Sequence, residues 1–278
     1  MEDFRHLEHH LLAFAIDIAR LCIWLMLLMV IFVPLERLFA LHSQKTFRPE
    51  FVTDLCYYFI NSMVPKFVLI ILIAVIAWGL HFIVPVGLEA WVASLPLSMR
   101  LAGALIVGEL GFYWGHRWTH EIPFLWRFHS IHHSAQRVDW LVNTRAHPVD
   151  IVFTRLCGFI PMYVLGLAQP TTNTLDPVPM LVLLVGTVWG FFIHSNVRWP
   201  LGWLAWLVST PGFHHWHHAN DGLGDRNYAS MLPVLDRVFG TLYLPEKRWP
   251  AKYGIDTPIA SNFAGQLMQP LRRNARQD

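Results

Sequence analysis

The sequence predicts an all-α integral membrane protein with about four to five transmembrane helices, interfacial helices and a histidine-rich helical cap on the cytosolic side. Of its 278 residues, 54% are hydrophobic and only 14% are charged, whereas about a quarter of the residues in a soluble domain are charged. Several apolar runs approach or exceed the roughly 20 residues that a helix needs to cross a bilayer. Basic residues cluster in segments that would share one side of the membrane.

The first two predicted spans are residues 11–33 and 64–86, which are apolar and long enough for about 30 Å of hydrocarbon. An acidic stretch, MEDFRHLE, precedes the first run, so we expect this run to stay in the mature protein and not to be a signal peptide. Residues 51–62 are too short and too polar to span, and we expect them to lie at the membrane interface.

The remaining predicted spans follow residue 96. Residues 97–120 form a span that Glu109 interrupts, and residues 151–168 and 178–194 are shorter runs on either side of the polar sequence AQPTTNTLD. We interpret these two shorter runs as a helical hairpin. Residues 201–208 are expected to be interfacial, because they are short and carry two tryptophans suited to the headgroup layer.

The distribution of basic residues predicts the orientation. Residues 34–66 carry four of them, whereas the predicted hairpin turn at 169–177 carries none. The positive-inside rule therefore places residues 34–66 in the cytosol. Five spans would then bring residues 117–150 and the chain after residue 195 to the same side.

Other classes of function are disfavoured by composition. The formal net charge of +2 is too small to indicate a nucleic-acid partner. Cys22, Cys56 and Cys157 are far apart and lack the paired spacing of a zinc knuckle or a disulfide framework. We interpret them as reduced packing residues.

Three clusters of histidine stand at helical spacing. They are HRWTH at 116–120, HSIHH at 129–133 and HHWHH at 214–218. Residues three and four positions apart share one face of a helix, so each cluster can chelate a metal ion. A fourth segment places His194 at the end of the fifth predicted span, level with the first cluster. We expect all four segments to meet at one site on the cytosolic surface.

The number of imidazoles indicates two metal ions. Neutral imidazole suits zinc, iron, copper and nickel, but about nine imidazoles are more than twice what one four-coordinate zinc ion uses. An oxygen-activating pair must keep coordination positions open, which favours iron over structural zinc. The Glu-x-x-His pairs of soluble di-iron bundles do not occur in the sequence.

The three clusters, with a predicted membrane hairpin between the second and the third, resemble the histidine boxes of the fatty acid hydroxylase/sterol desaturase superfamily. The resemblance extends from about residue 100 to the stretch NYASMLPVLDRVFGTLYLP, which ends at residue 245. It implies two iron ions that activate dioxygen for oxidation of lipid C–H bonds. Carried over residue by residue, it implies the ligands His116, His120, His129, His132, His133, His194, His214, His217 and His218.

Two further histidines have open roles. His147, in RAHPVD, is either a tenth metal ligand or a support for one. His215 falls on the opposite side of the helix from His217, and we expect it to support the ligands without binding the metal.

Glu109 and Tyr113 are the predicted catalytic residues. Both precede His116 at helical spacing, so the three side chains share one stripe of the helix. An ionisable residue in the middle of a span is a functional candidate by default. Glu109 would orient a ligand histidine, line the substrate tunnel, or pair with Arg155 or Arg20.

These observations predict a membrane-bound di-iron oxygenase that hydroxylates a fatty acyl, sterol or related lipid with dioxygen. Residues 1–100 would be an N-terminal transmembrane region, 101–245 the histidine-box domain and 246–278 a cytosolic basic tail. The lipid would enter sideways from the bilayer. The sequence carries no flavin, haem or iron–sulfur motif, so a separate reductase, ferredoxin or cytochrome would supply electrons.

Two alternatives remain. A desaturase would use the same metal centre and remove two hydrogens. A non-enzymatic metal or haem protein is less favoured, because the predicted spans carry few polar groups.

Overall fold

The computed structural model describes residues 2–168, 177–199, 201–222, 224–245 and 248–272. These residues form helices and no β-strand, as the sequence predicts, and the α-helices are α1 Glu2–Leu38, α2 Phe51–Leu80, α3 Val86–Ser94, α4 Leu97–Glu121, α5 Pro123–His133, α6 Pro148–Val164, α7 Pro177–His194, α8 Pro211–His217, α9 Val234–Val238 and α10 Phe263–Met268. Short 3-10 helices cover Trp140–Thr144, Gly202–Trp206 and Gln269–Leu271. The predicted hairpin turn at 169–176 and the end of the basic tail, 273–278, lie outside the described residues.

Three helical segments are long and apolar enough to cross a membrane. They are Glu8–Leu38 within α1, Phe51–Leu80 and Pro177–His194. Their outward faces carry large exposed hydrophobic side chains, among them Val30 at 72% and Trp78 at 71% exposure. Keeping apolar surface in water costs about 25 cal/mol per Å², so these faces are suited to lipid. In the described part of the chain, α4 and α6 do not belong to this apolar set.

The second span differs from the prediction at both ends. Residues 51–62, expected to form a separate interfacial segment, are the first turns of α2, which continues through Pro65 and ends at Leu80. The polar residues that made this stretch look interfacial have protein partners. Asp54 and Asn61 are buried, and their side chains bond to residues of the 3-10 helix region. The polarity therefore marks an internal contact and not a water-facing surface.

Helix α4 is the central element of the fold. It packs along α6 and also contacts α5 and α7, while α6 packs in addition on α2. The turn of the predicted hairpin between α6 and α7 lies outside the described residues, and Met162 of α6 and Val178 of α7 belong to one hydrophobic cluster. Both helices line a cavity, and α4 lines it as well. This arrangement leaves an apolar space directly beside the histidine clusters.

The close crossing of α4 and α6 depends on glycine at position 111. A Cβ atom there would overlap the carbonyl oxygen of Cys157 and lie 2.9 Å from Cγ of Pro161. We expect Gly111→Ala to lower the free energy of unfolding by about 1 to 3 kcal/mol, because the two backbones must separate. Unfolding in mixed micelles measures this change.

The matched control for this variant is Gly79→Ala in α2. No heavy atom lies within 4 Å of a Cβ at position 79, and alanine favours a helix over glycine by about 1 kcal/mol. Gly79→Ala should therefore be neutral or stabilising. Equal losses in both variants would show that the crossing does not depend on Gly111.

Candidate metal centre

Nine of the ten histidines predicted as ligands meet in two groups. Within each group, one ring nitrogen of every member lies within 4.8 Å of the corresponding atoms of the others. The first group contains His116, His120, His129, His133 and His217, and the second contains His132, His194, His214 and His218. Helices α4, α5, α7 and α8 contribute these side chains, so the four segments that the sequence singled out do converge.

The helices divide two of the sequence clusters between the two groups. On α5, His129 and His133 stand four residues apart and join the first group, whereas His132 joins the second. On α8 the assignment is reversed, and only His217 belongs to the first group. Thr210 begins α8 by accepting a hydrogen bond from the backbone N–H of Phe213. This cap stabilises a helix that is too short to form by itself.

The second group has the spacing of a ligand shell. Nε2 of His194 lies 3.1 Å from Nε2 of His132, 3.0 Å from that of His214 and 3.2 Å from that of His218. Nitrogens that bind one ion at about 2.1 Å, with angles of roughly 90° to 110°, lie about 3.0 to 3.4 Å apart. The four nitrogens therefore fit a single metal ion.

Backbone carbonyls determine which nitrogen of each ring carries the proton. Nδ1–H of His132 donates to the carbonyl of Arg145 at 2.9 Å, and Nδ1–H of His194 donates to the carbonyl of Gly190 at 2.7 Å. A carbonyl oxygen only accepts, so Nε2 of each neutral ring is unprotonated. Two lone pairs then face each other across 3.1 Å. A cation between them converts this repulsion into attraction.

Burial keeps these rings neutral. Desolvation, together with the neighbouring His129, lowers the pKa of His132 to about 4. Desolvation also lowers the pKa of His133, His217 and His218 well below the usual value. These rings can therefore bind a metal ion at neutral pH without first losing a proton.

The first group is anchored in the same way. In four of its members, Nδ1 contacts an oxygen atom. Nδ1 of His116 contacts the Tyr228 carbonyl, and Nδ1 of His217 contacts the Arg226 carbonyl. Nδ1 of His129 contacts the Asp150 carboxylate, and Nδ1 of His120 contacts the Asp225 carboxylate. Nε2 of His120 and Nε2 of His217 are buried without a hydrogen-bond partner. Buried nitrogens directed to one point fit a second metal ion.

Asp150 is the buried carboxylate of this anchoring set. Its Oδ2 accepts the Nδ1–H of His129 at 3.0 Å. Loss of such a partner typically costs 10- to 100-fold in metal affinity, so we expect Asp150→Ala to weaken metal binding by about 10-fold or more. Competition titration with a chromophoric chelator measures the affinity. Asp256→Ala, at an exposed carboxylate far from the histidines in sequence, should leave it unchanged.

His147 belongs to neither group. Its Nδ1 accepts the backbone N–H of Val149 at 3.2 Å, and its Nε2–H donates to the carbonyl of Leu267 at 3.1 Å. Both ring nitrogens are thus engaged, and the geometry does not favour His147 as a ligand. It caps the N-terminus of α6, the helix whose first turn carries Asp150, so its place is that of a support.

His215 also lies outside the two groups. Its Nε2–H donates to the carbonyl of Ser195 at 3.1 Å, and the hydroxyl of Tyr253 donates to its Nδ1 at 2.8 Å. It therefore connects α8 to the residue that follows His194, in agreement with the supporting role expected from its helical position.

Glu109 lines the cavity and anchors a chain segment. Its carboxylate accepts hydrogen bonds from the Ser230 hydroxyl at 2.7 Å and from the backbone N–H of Met231 at 2.6 Å. Among the described residues it forms no ion pair with either arginine proposed from sequence. Glu109 thus holds the segment that follows Tyr228, whose carbonyl accepts a hydrogen bond from Nδ1–H of His116 at 2.7 Å.

Tyr113 does not line the cavity. It is fully buried, its hydroxyl lies 2.8 Å from the hydroxyl of Thr241, and its ring stacks on Phe239 at 5.1 Å between centroids. The geometry favours a packing role over the catalytic role predicted from the helical stripe.

A buried ion-pair network, which the sequence pattern does not indicate, supports His132. Arg48 pairs with Asp54 and donates from Nε to Asp139 at 2.6 Å, and Arg145 donates from Nε to Asp54 at 2.5 Å. The Arg145 carbonyl in turn accepts a hydrogen bond from Nδ1–H of His132. In the sequence, Arg48 is one of the four basic residues at 34–66 that predict the orientation of the spans. Its buried partners cannot be read from the residues next to it.

An apolar cavity of about 300 Å³ ends at the histidines. Side chains of α4, α6 and α7 form its walls, and the apolar ones include Leu105, Phe112, Phe159, Met162 and Val182. His116, His129, His132, His194 and His214 line the same space. A hydrocarbon chain in this cavity would lie against the candidate metal centre.

The described residues define an all-helical protein in which two groups of histidines that could hold metal ions lie beside an apolar cavity. Comparison with known protein families then identifies the family of the chain. The model of the fatty acid hydroxylase family matches residues 101–241, and the chain belongs to that family.

Three relatives illustrate the similarity. An ornithine lipid hydroxylase from Rhizobium tropici is 34% identical over 190 residues, which cover 68% of this chain and 55% of the relative. An alkylglycerol monooxygenase from Xenopus tropicalis is 32% identical over a match that covers 54% of this chain and 32% of the relative. A methylsterol monooxygenase from Arabidopsis thaliana is 29% identical over a match that covers 52% of this chain and 53% of the relative. The chain thus spans about half or less of these relatives, and no solved structure matches it.

Proposed function

We propose that the protein is a membrane-bound di-iron oxygenase that hydroxylates a C–H bond of a lipid, using dioxygen and electrons from a separate donor. One observation carries this proposal: two groups of buried imidazoles, with nitrogens in ligand spacing, at the wall of an apolar cavity. The similarity to proteins named as hydroxylases or monooxygenases of ornithine lipid, alkylglycerol and methylsterol supports it.

Iron is the metal that best suits this donor set. A group of five and a group of four imidazoles exceed the need of structural zinc sites, which close with four ligands. Iron bound at both groups would supply the oxidising power for insertion of oxygen into an unactivated C–H bond. The carbonyls and carboxylates at the Nδ1 atoms would hold the rings in place whether or not substrate is bound.

The chain's own residues would bind and shield the lipid. The apolar walls of α4, α6 and α7 would hold its hydrocarbon part and exclude water from the site. Glu109 would stabilise the segment at 230–232 that closes one side of the cavity. Electrons would arrive at the cytosolic surface from a reductase, ferredoxin or cytochrome.

Helices α4 and α6 are proposed as additional membrane-embedded elements, for a total of about four to five spans. Domain bounds at 101–245 for the histidine-box domain, with an N-terminal membrane region and a basic tail, belong to the same proposal. Accessibility of single cysteines to a membrane-impermeant reagent tests it. Labelling of position 121 only from the cytosolic side is the expected result.

The function itself is tested by metal analysis coupled to lipid mass spectrometry. Purified protein should contain two iron ions per chain, and lipids of expressing cells should include a product heavier by one oxygen atom derived from ¹⁸O₂. A product lighter by two hydrogens would identify a desaturase instead. Iron-loaded protein that changes no lipid would favour the non-enzymatic alternative, and protein that binds no iron would overturn the proposal.

A further inference from the structure

Two polar side chains that line the cavity have no hydrogen-bond or ion-pair partner among the described residues. Arg155 of α6 and Asn143 of the 3-10 helix both line the cavity. Neither side chain forms a hydrogen bond or an ion pair with any residue in the described ranges. Both residues are partly exposed, so their polar groups are open to a molecule that enters the cavity and would gain partners from a complementary ligand.

The charge of Arg155 favours an anionic ligand. A guanidinium stays protonated under all conditions that a protein experiences, so it cannot escape desolvation by becoming neutral. Of the two carboxylates that line the same cavity, Glu109 binds Ser230 and Met231, and Asp150 binds His129 through Oδ2 while its Oδ1 has no hydrogen-bond partner. Neither carboxylate forms an ion pair with Arg155 in the described ranges, so an anionic molecule in the cavity would complement the guanidinium.

Both groups lie close to the histidines. Asn143 approaches α7 so closely that a Cβ on Gly190 would lie 2.7 Å from its Oδ1, and the Gly190 carbonyl is the acceptor for His194. Arg155 follows Thr154, whose Cα would lie 3.6 Å from a Cβ on Gly115, the residue before His116. Asn143 therefore lies beside the turn of α7 that orients His194, and Arg155 lies on the part of α6 that packs against α4 next to His116.

We propose that Arg155 and Asn143 form the binding site for an anionic oxygen group of the lipid substrate, a carboxylate or a phosphate. This proposal rests on the proposed function and specifies its substrate class. The planar guanidinium would donate two hydrogen bonds to two oxygens of the anion, and the Asn143 amide would donate a third. The hydrocarbon part would extend along the apolar walls, so oxidation would occur near the polar end of the lipid.

The test compares charged and uncharged lipids on the purified, iron-loaded protein in detergent. The probes are palmitic acid and its methyl ester, and dipalmitoyl phosphatidic acid and the corresponding diacylglycerol, with binding followed by tryptophan fluorescence. Wild-type protein should bind at least one anionic probe about 10-fold more tightly than its uncharged counterpart. The pair that shows the larger ratio distinguishes a carboxylate from a phosphate.

Three variants identify the residues responsible. In Arg155→Gln the preference for the anion should disappear, while affinity for the uncharged probe and iron content stay unchanged. Arg155→Lys should recover part of the preference, because it keeps the charge but loses the paired geometry. Arg20→Gln, at an arginine with a 72% exposed side chain, should behave like wild type.

The outcomes separate this proposal from the proposed function. Equal affinity of the wild type for charged and uncharged probes, or an unchanged preference in Arg155→Gln, would overturn the anion site even if an oxygenated lipid is found. An anion preference that depends on Arg155, in a protein that oxidises no lipid, would retain the site and refute the oxygenase. If Arg155→Gln loses iron or does not fold, Arg155→Lys becomes the deciding variant. A full wild-type preference for the anion in Arg155→Lys would also overturn the anion site.

Discussion

Replacing His194 by alanine is expected to reduce lipid hydroxylation by more than about 100-fold, because loss of a ligand should exceed the roughly 10- to 100-fold cost of losing an outer partner. Its Nε2 lies within 3.2 Å of the Nε2 atoms of the three other members of the second group. Removing it opens one face of that ligand set. Bound iron should fall towards one ion per chain, measured by elemental analysis of purified protein.

Two other histidines provide matched controls for His194→Ala. His81 follows α2 and is exposed, so His81→Ala should keep both iron and turnover. His147→Ala tests the assignment of His147 as a support: the iron content should remain nearly complete, with a modest loss of stability from the missing cap of about 1 kcal/mol. Full iron and activity in His194→Ala would refute the second metal position.

Replacing Asp54 by asparagine is expected to lower the free energy of unfolding by about 3 to 5 kcal/mol, the usual cost of removing one partner from a buried ion pair. Asp54 is 0% exposed and contacts both Arg48 and Arg145. Its loss leaves Arg145 without an anionic partner in the described network. Unfolding in mixed micelles, followed by circular dichroism, measures the change.

The same substitution should also weaken metal binding at the second group of histidines, because the Arg145 carbonyl accepts a hydrogen bond from Nδ1–H of His132. A movement of Arg145 shifts this acceptor and loosens the ring. We expect a lower iron affinity at temperatures where the variant is still folded. Asn61, which donates to the carbonyls of Thr144 and Ala146 at 2.9 Å and 2.8 Å, holds the same segment from α2.

Asp17→Asn is the control for Asp54→Asn. Asp17 pairs with Lys66, and both side chains are 40% exposed. Exposed pairs contribute about 0 to 1 kcal/mol, so this variant should change stability little and iron affinity not at all. If the two variants lose equal stability and bind iron equally well, the buried network has no special role at the metal centre.

Local periodicity explains what could be predicted. Helical spacing within HRWTH, HSIHH and HHWHH identified eight of the nine histidines that the structure brings together, and the position of His194 at the end of a predicted span identified the ninth. Length and hydropathy correctly located α1, the apolar part of α2 and α7 as candidate spans. These features depend on residues close in sequence, and backbone geometry determines which of them share a face.

Non-local contacts account for the errors. The polarity of residues 51–62 predicts an interfacial segment, but their polar side chains and backbone have partners more than eighty residues away, in the region of Thr144. His147 shares the residue type of the ligands, but its nitrogens bond to Val149 and Leu267. Nothing in the local pattern distinguishes such a capping histidine from a ligand.

The amino-acid sequence by itself determined the helical class, the candidate spans and most of the histidines that could hold a metal ion, since each follows from composition or from the 3.6-residue repeat. The tertiary structure alone decided how the histidines divide between two groups, which carbonyl or carboxylate contacts each ring, and that Arg155 and Asn143 line the cavity without a partner among the described residues. The physical reason is that one helix fixes only the direction of its own side chains. The meeting of nitrogens from four helices depends on how burial and hydrogen bonding pack those helices together.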